Sequence, residues 1–161
     1  MHDFDQAGDV TTLGVSDEDD LRLFGSLGPR VVETILLLKR DDPKVTRFAF
    51  VDAGLNEVAS QRLGYILGQN THLKNLSVRF SNLNVIGLCA GLQSNRSIQE
   101  LRFSGSSISD ADRMSSLAPI LTNNPSLRSI GLVGCNIDRL VSTSYQMPYP
   151  VVQKILWRCL V

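Results

Sequence analysis

Few residues of this chain are of a type that makes or breaks bonds. The 161 residues include three cysteines, Cys89, Cys135 and Cys159, and two histidines, His2 and His72. The cysteines stand far apart, form no CxxC pair and are odd in number, so neither a disulfide framework nor a metal site of the usual ligand count is expected. The sequence contains no glycine-rich phosphate loop, no GxSxG and no HExxH, the patterns that place nucleophiles, phosphates or zinc. The expectation is a protein that is not an enzyme and holds no metal and no cofactor. Recognition chemistry is better represented. Arg47, Lys74, Arg79, Phe80, Arg102 and Arg128 lie at the intervening positions of segments that repeat along the chain. Arginine and aromatic side chains are enriched where interfaces carry most of their energy. These six residues are therefore the candidate partner-binding set, suited to an acidic protein.

The segments that must position them are VTRFAFVDAGL (45–55), LKNLSVRFSNL (73–83), IQELRFSGSSI (98–108) and LRSIGLVGCNI (127–137). Each is apolar at its first, fourth, sixth and eleventh positions. The last copy, for example, has Leu127, Ile130, Leu132 and Ile137 there. Agreement at every template position is far beyond chance in a chain that is 43% apolar. The segments start 28, 25 and 29 residues apart, a period that belongs to stacked repeats. Between them the rhythm becomes helical. Val58, Ala59, Leu63, Ile66 and Leu67 follow the first segment. Val85, Leu88, Cys89 and Leu92 follow the second, and Met114, Leu117, Ile120 and Leu121 follow the third. Gly68–Asn70, Asn95 and Asn123–Pro125 supply the stops,. Ser109 and Asp112 suggest a capping box for the last of these helices,. Pro119 should kink that helix or divide it.

Each unit thus reads as strand, turn, helix, turn. A single unit cannot bury its own apolar face, so units must stack with parallel strands on one side and helices on the other. The pattern LxxLxLxx(N/C)xL resembles the leucine-rich repeat, and its period resembles the ribonuclease-inhibitor-like type. The stretch GLNEVASQRLGYILGQNTHLKNLSV matches best, and the resemblance covers about residues 30–140. It implies an α/β fold: a right-handed β-α solenoid, a leucine-rich-repeat horseshoe fragment with parallel strands on the concave face and helices on the convex face. The consensus Asn or Cys at the ninth position is replaced by Ala53, Ser81 and Ser106; only Cys135 conforms. The first turn, with an alanine that cannot hydrogen-bond through its side chain, is expected to be looser.

The flanks differ from the repeats. Residues 1–16 form a polar terminus expected to be flexible, with VTTLGV (10–15) as a degenerate strand candidate,. Residues 17–44 read as an N-terminal helical cap. Ser16 and the acidic run Asp17–Asp20 suit a solvated helix start, and Pro29 suits the start of a second helix,. Residues 45–137 hold the repeats. Residues 138–161 combine an irregular segment carrying Pro148 and Pro150 with an apolar helix, VVQKILWRCLV. That helix either folds back on the fourth unit or pairs with another copy of the chain.

Sixteen basic residues balance sixteen acidic ones, so no global field points to nucleic acid or to a membrane. The N-terminus lacks the apolar stretch of a signal peptide, and no segment approaches a membrane span,. A cytoplasmic or nuclear location follows. The leading expectation is a protein-interaction module binding through the concave face. The alternatives are a regulator of a partner enzyme, by ribonuclease-inhibitor-like inhibition or GTPase activation, and a substrate-receptor subunit of a ubiquitin ligase.

Overall fold

The computed structural model describes residues 16–51, 55–79, 85–104 and 111–133. Two helices come first, α1 (Asp17–Phe24) and α2 (Pro29–Lys39), joined by a short 3₁₀ turn. Four strands and three helices then alternate: β1 (Arg47–Val51), α3 (Glu57–Gln69), β2 (Asn75–Arg79), α4 (Val85–Leu92), β3 (Glu100–Ser104), α5 (Ala111–Asn123) and β4 (Ser129–Val133). The strands form one parallel sheet in the order β1-β2-β3-β4. This mixed α/β architecture is compatible with a β-α repeat. Each strand occupies the third to seventh positions of its eleven-residue segment.

Where they are described, the template positions form the core, except Val45, which is half-buried and packs against it. Phe48, Phe50, Leu55, Leu73, Leu76, Val78, Ile98, Leu101, Phe103, Leu127 and Ile130 are buried. Each such side chain contributes roughly 1.5–3 kcal/mol of transfer free energy. The helices add Ala59, Leu63, Ile66 and Leu67 from α3, Leu88, Cys89 and Leu92 from α4, and Leu117, Ile120 and Leu121 from α5. Val58 departs from the expected apolar stripe and is 64% exposed. One residue is 100° of helical rotation, and burying Ala59, Leu63 and Ile66 turns Val58 outward. Pro119 neither divides nor ends α5, which runs as one helix to Asn123. The proline removes one backbone N–H, and burial of Leu117, Ile120 and Leu121 around it offsets that loss.

Three asparagines do more than end helices. Asn70, Asn95 and Asn124 each sit three residues before the first template position, and all are buried. The Asn95 Oδ1 accepts the backbone N–H groups of Ser97 and Ile98, both at 2.8 Å. Its Nδ2 donates to the carbonyls of Leu67 (2.7 Å) and Asn70 (2.9 Å) in the preceding unit. Asn70 repeats the pattern, accepting from His72 and Leu73 and donating to the Leu38 carbonyl at 3.0 Å. Asn124 accepts from Ser126 and Leu127. One amide therefore satisfies its own turn and clamps the unit before it. Asp42 takes the same place ahead of β1 and accepts from Lys44. Two serines add rungs: Ser97 donates to the Asn70 carbonyl and Ser126 to the Arg96 carbonyl.

Helices α3 and α4 approach through glycine. Gly64 and Gly68 on α3 face Gly87 and Gly91 on α4, each pair four residues apart and so on one helix face,. A methyl on Gly64 would stand 2.6 Å from the Gly87 carbonyl oxygen, and one on Gly91 would overlap the Gly64 carbonyl.

The acidic run at α1 is not wholly solvated. Ser16 caps the helix in a box with Asp19, and Asp17 is partly exposed, but Asp20 is fully buried. Its carboxylate receives Lys39 Nζ of α2 at 2.7 Å and Arg62 Nε of α3 at 2.9 Å. Asp17 holds Lys39 at 2.9 Å and Arg40 at 2.6 Å. A local reading of DEDD does not see these partners, which are 19 to 42 residues away. The possible strand at 10–15, the ninth-position residues Ala53, Ser81, Ser106 and Cys135, the Ser109–Asp112 box and the segment 138–161 lie outside the described residues, as does the side chain of Met114.

Close helix packing makes a direct prediction. Gly91→Ala should lower the free energy of unfolding by about 1–3 kcal/mol. Gly25→Ala, where nothing lies within 4 Å of the added carbon, should change it by less than about 0.5 kcal/mol. Urea denaturation followed by circular dichroism measures both.

Candidate functional site

The sheet presents one face away from the helices. Along β1 the burial alternates, with Arg47, Ala49 and Val51 exposed and Phe48 and Phe50 buried. Parallel register carries that alternation across the sheet. Arg47 pairs with Asn75, Asn75 with Glu100, and Glu100 with Ser129. The next row runs Ala49, Ser77, Arg102, Gly131, and the last runs Val51, Arg79, Ser104, Val133.

The candidate cations fall on this frame unevenly. Arg47, Arg79 and Arg102 sit within strands and are exposed. Arg79 and Arg102 lie on adjacent strands two residues out of register, so they are diagonal neighbours. Lys74 and Arg128 lie one residue before their strands, with Gln99 between them. Lys74 N–H donates to the Thr46 carbonyl, Gln99 N–H to Lys74 and Arg128 N–H to Gln99, each at 2.8 Å. These two cations therefore flank the N-terminal end of the face. Phe80 lies outside the described residues.

Local contacts decide which cations are available. Arg102 Nη2 is 3.6 Å from the Glu100 carboxylate, and its stem crosses Gly131, where a Cβ would be 3.4 Å from Cγ of Arg102. Arg47 and Arg79 have no carboxylate within 4.0 Å among the described residues. Glu100 is the described acidic side chain on the face, against cations in every row. The face is basic in a chain whose net charge is zero.

A second cluster lies at the turn after α2. Asp41 adopts a positive φ of 53°. It closes the helix end as the left-handed residue, with Asp41 N–H reaching the Leu38 carbonyl and Asp42 N–H the Leu37 carbonyl,. Glycine would fit that backbone more easily, but the carboxylate is used. It accepts the Thr71 N–H and hydroxyl, each at 2.7 Å. His72 Nδ1 lies 3.2 Å from the same carboxylate and 3.1 Å from the Thr71 hydroxyl. A nucleophilic relay would place the imidazole between acid and hydroxyl through two different nitrogens. Here one nitrogen faces both, and the Thr71 proton goes directly to Asp41. The geometry is that of a turn clamp.

Cys89 is buried in the core, and burial pushes its thiol up to about 12; it remains protonated and unreactive. Cys135 and Cys159 lie outside the described residues. Among the described residues, no group of three His, Cys, Asp or Glu side chains is placed to hold a metal ion, and no helix is long and apolar enough to cross a membrane.

No family model matches this chain, and no curated protein matches it. Among solved structures, a chain described as leiomodin-1 actin-binding site 2 aligns at 16% identity with a TM-score of 0.47. The alignment covers 67% of this chain and 64% of that one.

The carboxylates make acid sensitivity calculable in sign. Burial opposes ionisation of Asp20, but hydrogen bonds from Arg62 and Lys39 outweigh it and hold its carboxyl below the ordinary value of 3.8. Asp17 is lowered by Lys39 and then Arg40, and Asp41 by the Thr71 amide and hydroxyl. Groups lowered on folding add stability that is complete above their unfolded value and is lost as pH falls through the folded one. The urea midpoint should therefore be flat from about pH 7 to about pH 5 and decline below about pH 4. Asp20→Asn should lower the plateau and flatten the decline.

Proposed function

We propose that this chain is a leucine-rich-repeat protein of the ribonuclease-inhibitor-like type. On this reading its units form a right-handed β-α solenoid, and it works by binding a partner protein through the exposed sheet face. The observation that carries the reading is the registered face itself. Rigid parallel strands hold Arg47, Arg79 and Arg102 outward on one surface, and Lys74 and Arg128 flank its N-terminal end. Electrostatic complementarity with such a surface favours an acidic partner and speeds its encounter. Arg79 and Arg102 are the pair whose guanidinium groups a single acidic loop or helix end could bridge.

The protein acts, on this reading, as a binding scaffold and not as an enzyme. The described thiol is buried away from solvent, and the described imidazole is committed to a turn. The contact area of four strands is modest, which suits a transient complex or one part of a larger interface.

Affinity capture with the full chain, followed by mass spectrometry, should return a partner with an acidic contact surface. The double substitution Arg79→Glu, Arg102→Glu should weaken its binding by about tenfold or more and reduce the salt dependence. Both residues are exposed, so circular dichroism should show the fold retained. Undiminished binding by that folded variant would remove the sheet face as the site.

A further inference from the structure

We propose that the outer edge of β1, which ends the sheet among the described residues, is with the basic cleft beside it a second docking site: it takes an extended acidic segment of a partner protein as an added strand. The edge is defined by the ladder. The Thr46 carbonyl accepts the N–H groups of Lys74 and Asn75 and so faces β2. Backbone groups alternate sides along a strand, so the N–H and C=O groups of Phe48 and Phe50 also face β2. Those of Arg47, Ala49 and Val51 point the other way, and β1 ends the sheet among the described residues. A row of unpaired donors and acceptors is a template for another strand.

The ground beside this edge selects the occupant. A cleft of about 250 Å³ lies between α2 and β1, lined by Arg30, Val31, Thr34, Arg47, Phe48 and Ala49. Its two charged lining residues are both arginines, and both are exposed. Neither has a carboxylate within salt-bridge distance among the described residues. Val31 and Phe48 supply an apolar floor, and the Thr34 hydroxyl already donates to the Arg30 carbonyl at 2.9 Å. An incoming strand with alternating side chains would set every second residue towards this cleft. Arg47 stands on the open face of β1 and Arg30 on the α2 side, so carboxylates on either face of the added strand would meet one guanidinium group, while its backbone pairs with Arg47, Ala49 and Val51,. Affinity would come from the main chain and selection from charge, as in other strand-addition modes. Natural sheets usually protect such an edge with charge or bulges; here the charge has one sign, which repels basic strands and admits acidic ones.

This site shares Arg47 with the sheet face, but Arg30 belongs to it alone and Arg79 and Arg102 to the face, so the two are separable by substitution. The test uses the full chain and a blocked peptide of alternating Glu and Val, with a Lys–Val peptide as control. Binding of the acidic peptide should be saturable, should weaken about tenfold in Arg30→Glu, Arg47→Glu, and should be unchanged in Arg79→Glu, Arg102→Glu. Amide hydrogen exchange should slow at Arg47, Ala49 and Val51 when the peptide binds. Absence of saturable binding, equal binding of the Lys–Val peptide, or binding without protection of those three amides would overturn the proposal. So would protection of those amides before peptide is added that is lost when residues 1–15 are removed, since the chain itself would then occupy the edge.

Discussion

A polypeptide that leaves a helix and turns at once into a buried strand exposes backbone amides where no water reaches them. Each unpaired group would cost about 1–3 kcal/mol, so the turn must be solved chemically before units can stack. Asn95 solves it with one side chain. Its oxygen takes two N–H groups of its own turn, and its nitrogen gives two hydrogen bonds to the unit before. Asn70 and Asn124 stand at the same place in their turns. The side-chain amide is suited to this because it donates and accepts on one rigid plane. A leucine would fill the space but leave the backbone orphaned, and a carboxylate has no donor for the neighbouring carbonyl.

The remaining architecture follows from that clamp. Turns held at a fixed distance bring consecutive strands into parallel register, which places the described fourth- and sixth-position template residues in one core. Behind the sheet, the glycines of α3 and α4 let two helices sit closer than side chains would allow. At the N-terminal end, buried Asp20 joins α1, α2 and α3 through Lys39 and Arg62. A buried ion pair adds little net stability against an apolar replacement, yet losing one partner is strongly destabilising. Its effect here is to fix where α1 and α2 sit against α3. Asp41 makes a second connection, holding Thr71 of the next turn. The exposed cations inherit their positions from this frame.

Much of the frame is legible in the amino-acid sequence because periodic burial writes a periodic pattern. The strands starting at Arg47, Asn75, Glu100 and Ser129 all fall inside the repeated segments, and among the described residues the leucine, isoleucine and phenylalanine template positions are buried. The asparagines were legible as helix stops but not as clamps, since a stop signal says nothing about what the side chain touches in another unit. Asp20 was hidden for the same reason: four consecutive acidic residues look solvated until Arg62 arrives from 42 residues away. The glycine faces are not legible in one segment: Gly68 reads as part of a helix stop, yet α3 runs through it to Gln69, and the use of these glycines appears only when the opposing helix is in place. Of the candidate surface, both the residue types and their rows were legible, because equivalent positions of the repeated segments align in the observed register. What the sequence does not show is the local contact that sets each cation's availability, such as Arg102 beside Glu100.

The claim on which all of this rests is that the buried amides hold adjacent units in register. Asn95→Ala is the direct test, read by urea denaturation together with native-state hydrogen exchange. The account predicts a loss of at least about 3 kcal/mol of unfolding free energy, with faster exchange at Ser97 and Ile98 and through both β2 and β3. A loss under about 0.5 kcal/mol, or faster exchange confined to the turn itself, would contradict it.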